Sequence, residues 1–393
     1  MINQETKKFI LDNEKENPSL VVLKAAKFAN VDGKVAAQQI GARQKAKKKL
    51  PSWYENTNIE YPSKVPLEQC SSERAANFKS KIVKGNSLID LTGGMGVDDW
   101  AFSKHFSKVT YFERQKDLSE ITKRNFTTLN QLNIDVKSGD SLEWLQENSN
   151  NFDVIYLDPA RRDKENRKLV RVEDCEPNVL EFKDLLFHRA DKVLVKLSPM
   201  IDIKSTLRSL PEVSNVWVVS VDGECKEVLF LLEKQESTDV KIHTVDLKGE
   251  KKEIVFSFNL KEEEQNGVEL ASELHQYLYE PNASVMKGGA FKSISNRFGL
   301  KKLHINSHLY ISDVLIEDFP GRKFEVTKQI QAQKKSIKKE IPNLKANLSV
   351  RNFPQTVDQL RNKLKLKEGG EIYLFATTIM KEEKVLLVCK RIN

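Results

Sequence analysis

Cysteine is scarce in this chain. Its four, Cys70, Cys175, Cys225 and Cys389, stand far apart and form no C-x-x-C pair. That spacing argues against a disulfide framework and against a thiolate zinc site, and it fits a reducing cytoplasm. No metal ligand set is expected elsewhere. His304 and His308 share i,i+4 spacing but lack the glutamate of a zinc-protease helix, so they read as ordinary histidines. Long apolar runs are missing too: no window of about eighteen residues is free of charge, so no membrane-spanning segment is expected. The opening MINQETKKFILDNEKENPS has no apolar core ahead of a small-residue cleavage site, which argues against a secretory signal. There are no internal repeats and no low-complexity tracts, and 393 residues exceed one typical domain.

Charge is present in quantity and is unevenly spread. The net charge is +8 and the pI about 9.0, a balance that favours a polyanionic partner. GARQKAKKKL (41–50) holds five basic residues, Arg43, Lys45, Lys47, Lys48 and Lys49, and no acid. GRKFEVTKQIQAQKKSIKKE (321–340) is a second basic stretch, with Lys334, Lys335, Lys338 and Lys339 near its end. Each run alone could be a solvated helix face; two of them make nucleic-acid contact the expectation.

Periodicity sets the organisation. Residues 1–80 carry apolar positions at three- and four-residue spacing and read as a helical N-terminal domain, with Pro51 ending one helix and Ser71 or Ser72 capping another. Between about 81 and 236 short Val/Ile/Leu-rich segments alternate with helical ones: SLIDLT, KVTYFER, IDVKSGD, FDVIYLDPA and DKVLVKLSP are strands, each followed by a helix. SNVWVVSVDGECKEVLFLLE then reads as a hairpin about Asp222-Gly223. Five β–α units and a terminal reversed hairpin predict an α/β fold, a Rossmann-like seven-stranded sheet of the methyltransferase type, parallel except at its end. Residues 237–320 are expected to form a linking module, with KEEEQNG a loop and QYLYEPNASVMKGGAFKSISNRFGL a turn leading into a helix. Residues 321–393 are expected to form a small α+β module, with QIQAQKKSIKKE helical.

LIDLTGGMGVDD (88–99) is where chemistry first shows. The strand ends at Asp90, and Thr92, Gly93, Gly94 and Gly96 form the turn beyond it, at the sheet edge where open α/β folds bind ligands. A pyrophosphate would call for G-x-G-x-x-G, and an acid beside the glycines would repel it. A G-G-x-G turn after an aspartate suits a ligand ending in an ammonium, which points to S-adenosylmethionine. The second strand ends in Glu113, 23 residues after Asp90, placed to accept from ribose hydroxyls. The third ends at Asp140, placed to accept from an adenine amino group. Singly, Glu113 and Asp140 could be no more than acids in a helix's first turn.

The fourth strand ends in Asp158-Pro159-Ala160-Arg161. The form resembles the D-P-P-[YFW] of amino-group methyltransferases, in which the carboxylate holds an exocyclic amine in line for transfer. Ala160 replaces the second proline and Arg161 the stacking aromatic; Arg161 and Arg162 could instead hold a phosphate. The fifth strand ends VKLSPM, without the cysteine nucleophile that carbon-5 pyrimidine chemistry requires, so transfer to nitrogen or oxygen is favoured.

With those residues in view, the chain resembles a family of bacterial class I S-adenosylmethionine-dependent methyltransferases with a THUMP-like C-terminal domain. ARQKAKKKLPSW, VPLEQCSSERAANFKS, LIDLTGGMGVDDWAFS, VIYLDPARRD, DGECKEVLFLL, LYEPNASVMKGGAF and RNFPQTVDQLRNKLKLKEGGEIYLFATT carry the resemblance along nearly the whole chain. It implies a ferredoxin-like segment ahead of the THUMP-like one. It also implies a cofactor site on Asp90, Thr92, Gly93, Gly94, Gly96, Glu113, Asp140 and Asp158, and an RNA substrate. Where the wider class has glycine this chain has Thr92.

The reading is therefore an S-adenosylmethionine-dependent methyltransferase acting on a base nitrogen of tRNA or rRNA. Asp158, Pro159 and Arg161 would stand at the transfer point, and the two basic runs would grip phosphates. Alternatives are a methyltransferase on a protein or small molecule, an RNA-binding protein with a non-catalytic sheet, and a dehydrogenase. G-G-x-G and the reversed hairpin speak against the last.

Overall fold

The computed structural model describes residues 2–62, 64–161, 171–249 and 252–392. They divide into two compact units, Met1–Asn215 with Glu227–Ser237, and Val216–Lys226 with Thr238–Asn393.

The first unit is organised by parallel strands. They are β1 (Ser87–Asp90), β2 (Lys108–Glu113), β3 (Ile134–Ser138), β4 (Phe152–Leu157) and β5 (Ala190–Leu197), followed by the hairpin strands β6 (Val213–Val221) and β7 (Glu224–Glu233), of which Val216–Lys226 falls in the second unit. The strand order is β3-β2-β1-β4-β5-β7-β6. β1 pairs in parallel with β2 and β4, and β4 with β5, whereas β7 runs antiparallel to β5. The parallel α/β strands and the reversed hairpin are those expected, but the sheet counts nine strands rather than seven, so the hairpin is not its edge. Asp222 and Gly223 both take positive φ, the conformation a tight two-residue hairpin turn requires. β1 and β4 are mostly buried, as expected of parallel strands inside a sheet covered on both faces.

The N-terminal helices share this unit. Asp32 caps the helix Gly33–Lys49 by accepting from the N–H groups of Lys34 and Val35. Pro51 opens a short second helix, Pro51–Glu55, and Ser72 caps Glu73–Ile82. Trp53, Tyr61, Leu67 and Ala76 from this region join Met95, Trp100, Tyr111 and Phe126 in one core cluster. At about 25 cal/mol per Å² of apolar surface buried, aromatic side chains of this size dominate such a cluster.

In the second unit, strands β8 (Lys241–Lys248) and β9 (Lys252–Asn259) pair antiparallel. A second sheet is built from β10 (Tyr277–Pro281), β11 (Lys301–Lys302), β12 (Tyr310–Ser312), β13 (Gly321–Ile330), β14 (Asn347–Arg351), β15 (Ile372–Thr378) and β16 (Lys384–Ile392), in the order β11-β12-β10-β13-β16-β15-β14.

Three local expectations are corrected here. KEEEQNG does not form a loop: Leu260–Gln265 is helical, and the Glu263 carboxylate accepts from the N–H groups of Phe291, Lys292 and Ser293. QYLYEPNASVMKGGAFKSISNRFGL is strand β10 followed by two helices, Ala283–Gly288 and Phe291–Phe298. In QIQAQKKSIKKE the first two residues finish β13, so the basic helix is only Lys334–Glu340. In the first case a distant partner decided the conformation, which local propensity cannot foresee. His304 and His308 lie in irregular backbone rather than on one helix.

Candidate active site

The glycine turn lies where β1 passes into the helix Val97–Phe102. Gly93 donates its N–H to the Phe112 carbonyl at 2.7 Å, and a Cβ there would meet the Tyr111 ring at 2.2 Å. The bare backbone at 93 is thus required by the strand beside it. Gly94 has φ +55, and a Cβ there would meet nothing nearer than the Thr92 carbonyl at 3.8 Å. Gly94 is the residue whose bareness opens space.

Two carboxylates brace this turn. Asp90 accepts at Oδ1 from the Thr92 N–H (2.7 Å) and hydroxyl (3.1 Å). Glu113 accepts from the Gly94 N–H (3.0 Å) and the Gln115 N–H (2.8 Å). Thr92, in turn, accepts at Oγ1 from the Asp158 N–H at 2.6 Å, tying the end of β1 to the end of β4. A glycine at 92 would lose that tie.

Over the turn opens a cleft of about 430 Å³. Its lining brings together Asp90, Thr92, Gly93, Gly94, Gly96, Glu113 and Asp158. Cys70 and Ser71 of the N-terminal segment line it as well. Asp140 is not among the lining residues, although its neighbour Ser141 is. Asp140 caps the helix Ser141–Glu147, accepting from the N–H groups of Leu142 and Glu143, and pairs with Arg114 at 2.8 Å. Its structural role as a helix cap accounts for its position. Pro159 is buried and Ala160 reaches the cleft. The backbone of Arg161 pairs with Cys175, while its side chain, and Arg162 altogether, lie outside the described residues.

The cleft is acidic, and its charges are unequal in kind. Burial pushes the Asp90 carboxyl up to about 7, with nearby Asp98 and Asp158 adding repulsion against the Thr92 hydrogen bonds. Asp99 is fully buried, and burial, the neighbouring Asp90 and Asp98 charges and a side-chain hydrogen bond with Asp90 hold its carboxyl well above the usual range. Asp98 goes the other way. Burial opposes its charge, but the Lys79 and Lys196 ammonium groups and hydrogen bonds from Lys79 and Tyr156 outweigh it and hold the carboxyl at about 2. Of these acids Asp90 lines the cleft with no cationic partner among the described residues, so an incoming ammonium there would favour loss of its proton.

Three residues central to this arrangement were not anticipated: Lys79, Asp98 and Lys196. Lys79 is 0% exposed and donates to Asp98 at 2.9 Å, Ser71 at 3.0 Å and Tyr156 at 3.2 Å, with Glu227 at 3.2 Å. Lys196 pairs with Asp158 and lies 3.9 Å from Asp98. A lysine inside the apolar run VLVKL, and another on the buried stripe of RAANFKS, were the available signals.

The basic residues fall into two sorts. Arg43 is 4% exposed, donating to Glu14 at 3.1 Å and to the Tyr54 carbonyl at 3.1 Å, so it is a packing residue and not a surface contact. Lys45 pairs with Glu68, and Lys49 donates to the carbonyls of Leu67 and Glu68. Lys47 and Lys48 are exposed, and so are Lys334, Lys335, Lys338 and Lys339. Among the described residues no cluster of His, Cys, Asp and Glu could hold a metal ion, and no helix is long and apolar enough to cross a membrane.

Comparison with known proteins gives three family matches: conserved hypothetical protein 95 over residues 70–185, a ferredoxin-like domain over 277–320 and a THUMP domain-like family over 321–391. A crystal structure from Porphyromonas gingivalis, described as a methyltransferase, is 32% identical, with a TM-score of 0.89 over 100% of both chains. The ribosomal RNA small subunit methyltransferase D of Buchnera aphidicola is 28% identical over 100 residues, which are 25% of this chain and 52% of that protein. The match thus spans about half the length of that curated relative.

Proposed function

The chain belongs to the methyltransferase family of the Porphyromonas gingivalis protein, and on that premise we propose that it is an S-adenosylmethionine-dependent RNA methyltransferase acting on a base nitrogen. The observation that carries the reading is the acidic cleft over the glycine turn, with Asp90, Glu113 and Asp158 at three neighbouring strand ends. The name of the Buchnera relative supports the RNA part.

The residues fit the cofactor. Gly94 leaves open space, Asp90 can release its proton to receive an ammonium, and Glu113 has lone pairs left for ribose hydroxyls. S-adenosylmethionine, when bound, supplies an electrophilic methyl group. The chain's own part is to orient the acceptor and take its proton. Asp158 would hold the acceptor nitrogen in line with that methyl group, and its Oδ1 would take the proton the nitrogen sheds on methylation and pass it to water. This is catalysis by placement, which is worth several kcal/mol when the reacting atoms are held about 3–3.5 Å apart. We assign phosphate contact to Lys47, Lys48 and the helix Lys334–Glu340, and place the domain boundaries at about 80, 236 and 320.

Tritiated methyl-S-adenosylmethionine with total RNA from a strain lacking the protein, followed by nucleoside mass spectrometry, tests the reading. Label in one modified nucleoside is expected. Cofactor binding without label in any RNA would overturn the RNA assignment and turn attention to a protein or small-molecule acceptor.

A further inference from the structure

Five charged side chains of the first unit form a row of alternating sign: Asp158, Lys196, Asp98, Lys79 and Glu227. Neighbours along it are an ion pair between Lys196 and Asp158, then separations of 3.9, 2.9 and 3.2 Å. Ser71 Oγ donates to Asp98 at 3.1 Å, and the Tyr156 hydroxyl donates to the same carboxylate at 2.8 Å. Four of the five are buried; Asp98 and Asp158 line the cleft, and Asp158 is the more open of the two, its side chain 35% exposed.

Such a row is expensive as pure structure. Each buried ion loses several kcal/mol of hydration, and apolar side chains of similar size often stabilise as well or better. Met or Leu at 79 and 196 would continue the apolar packing around them. What the row provides instead is a fixed cation at the transfer point. Burial opposes the Lys196 charge, yet Asp158, Asp98 and Glu227 hold its ammonium above the usual lysine range, so it stays charged at any working pH.

We propose that Lys196 is a positioning residue for methyl transfer, acting through Asp158. Its ammonium ties down Asp158 Oδ2, while the Asp158 N–H is tied to Thr92, and Oδ1, which meets no donor among the described residues, is left to face the acceptor. Among the described residues, Asp90 and Asp98 also line the cleft beside Asp158, and both are already engaged, by Thr92 and by Lys79 with Tyr156. Oδ1 is thus, among the described residues, the oxygen of Asp158 left to accept from the acceptor's N–H.

The inference rests on the methyltransferase reading, so its test has a part that needs no acceptor. The probes are S-adenosylmethionine and S-adenosylhomocysteine, which differ by a methyl and its positive charge, titrated calorimetrically into the full chain. Asp158→Asn uncovers the Lys196 cation, and the preference for the charged cofactor should fall by about fivefold or more; adding Lys196→Met should restore it. An unchanged preference in Asp158→Asn would place the pair away from the transfer point and overturn the proposal. The second part is methyl incorporation into total RNA. Lys196→Met should lower kcat by about tenfold to a hundredfold while cofactor affinity stays within about threefold, and Lys196→Arg should recover most of the loss. In the Asp158→Asn background Lys196→Met should cost less than about twofold more. Losses that simply multiply, or wild-type kcat in Lys196→Met, would overturn it. If the wild type labels no RNA, the RNA reading fails and the binding ratios alone decide the role of Lys196.

Discussion

Cations occur in two settings in this protein, and the difference separates structure from function. In the first unit Lys79, Lys196 and Arg43 are buried, and each meets a carboxylate: Asp98 and Glu227, Asp158, and Glu14. On the helix Lys334–Glu340, and at Lys47 and Lys48, the cations are exposed. A matched buried cation fixes geometry and contributes little attraction to anything outside. An exposed run stays hydrated, adds little to stability, and attracts a polyanion over roughly 8–10 Å at physiological salt. The basic composition of residues 41–50 gave no hint that its arginine belongs to one class and its central lysines to the other.

Substitutions should break that comparison in order of burial. Lys79→Met leaves Asp98 and Glu227 without their shared cation, and urea unfolding should show a loss of about 3–5 kcal/mol. Arg43→Met should cost about 2 kcal/mol, less because Glu14 keeps some solvent, and should leave RNA affinity unchanged. A drop in RNA binding with that variant would return Arg43 to the surface class.

Asp90 sharpens the account through pH. Its folded value of about 7 stands above the ordinary 3.8, so the folded state holds a proton that the unfolded state releases. The stability from that proton is full below about 4 and is lost as pH rises through about 7. Thermal melts of Asp90→Asn should therefore lack that decline and lie above the wild type at pH 8. A wild-type melting temperature that rises between pH 5 and 8 because of this residue would contradict the buried, proton-holding carboxyl.

Neutralising Lys334, Lys335, Lys338 and Lys339 to Gln should leave stability within about 0.5 kcal/mol. The slope of log affinity against log salt for RNA should become shallower by up to about 3. The same change at Lys47 and Lys48 should flatten it by about 1. An unaltered slope in either variant would remove that surface from the RNA contact.

Much of the catalytic unit was legible in the sequence. β1, β2 and β4 announce themselves as short apolar runs, and a ligand site at their ends follows from the topology of any open parallel sheet. Asp90, Glu113 and Asp158 could be named because strand ends are easy to locate. Asp140 fits the same rule and a second one as well: an aspartate just ahead of a helix serves as a cap, and its Oδ1 does so while Oδ2 pairs with Arg114. Lys79 and Lys196 were passed over for a different reason. A lysine in an apolar pattern looks like an interruption until its partner is known, and the partners lie 19 and 38 residues away. The N-terminal helices showed their own periodicity, but only the packing of Trp53 and Tyr61 against Trp100 and Tyr111 shows that they belong with the sheet.

Titration of S-adenosylmethionine into the full chain, and into Asp90→Ala, tests the central assignment most directly. The acidic cleft predicts saturable binding of one cofactor per chain, lost in the variant. No binding by the native protein, or equal binding by Asp90→Ala, would contradict it.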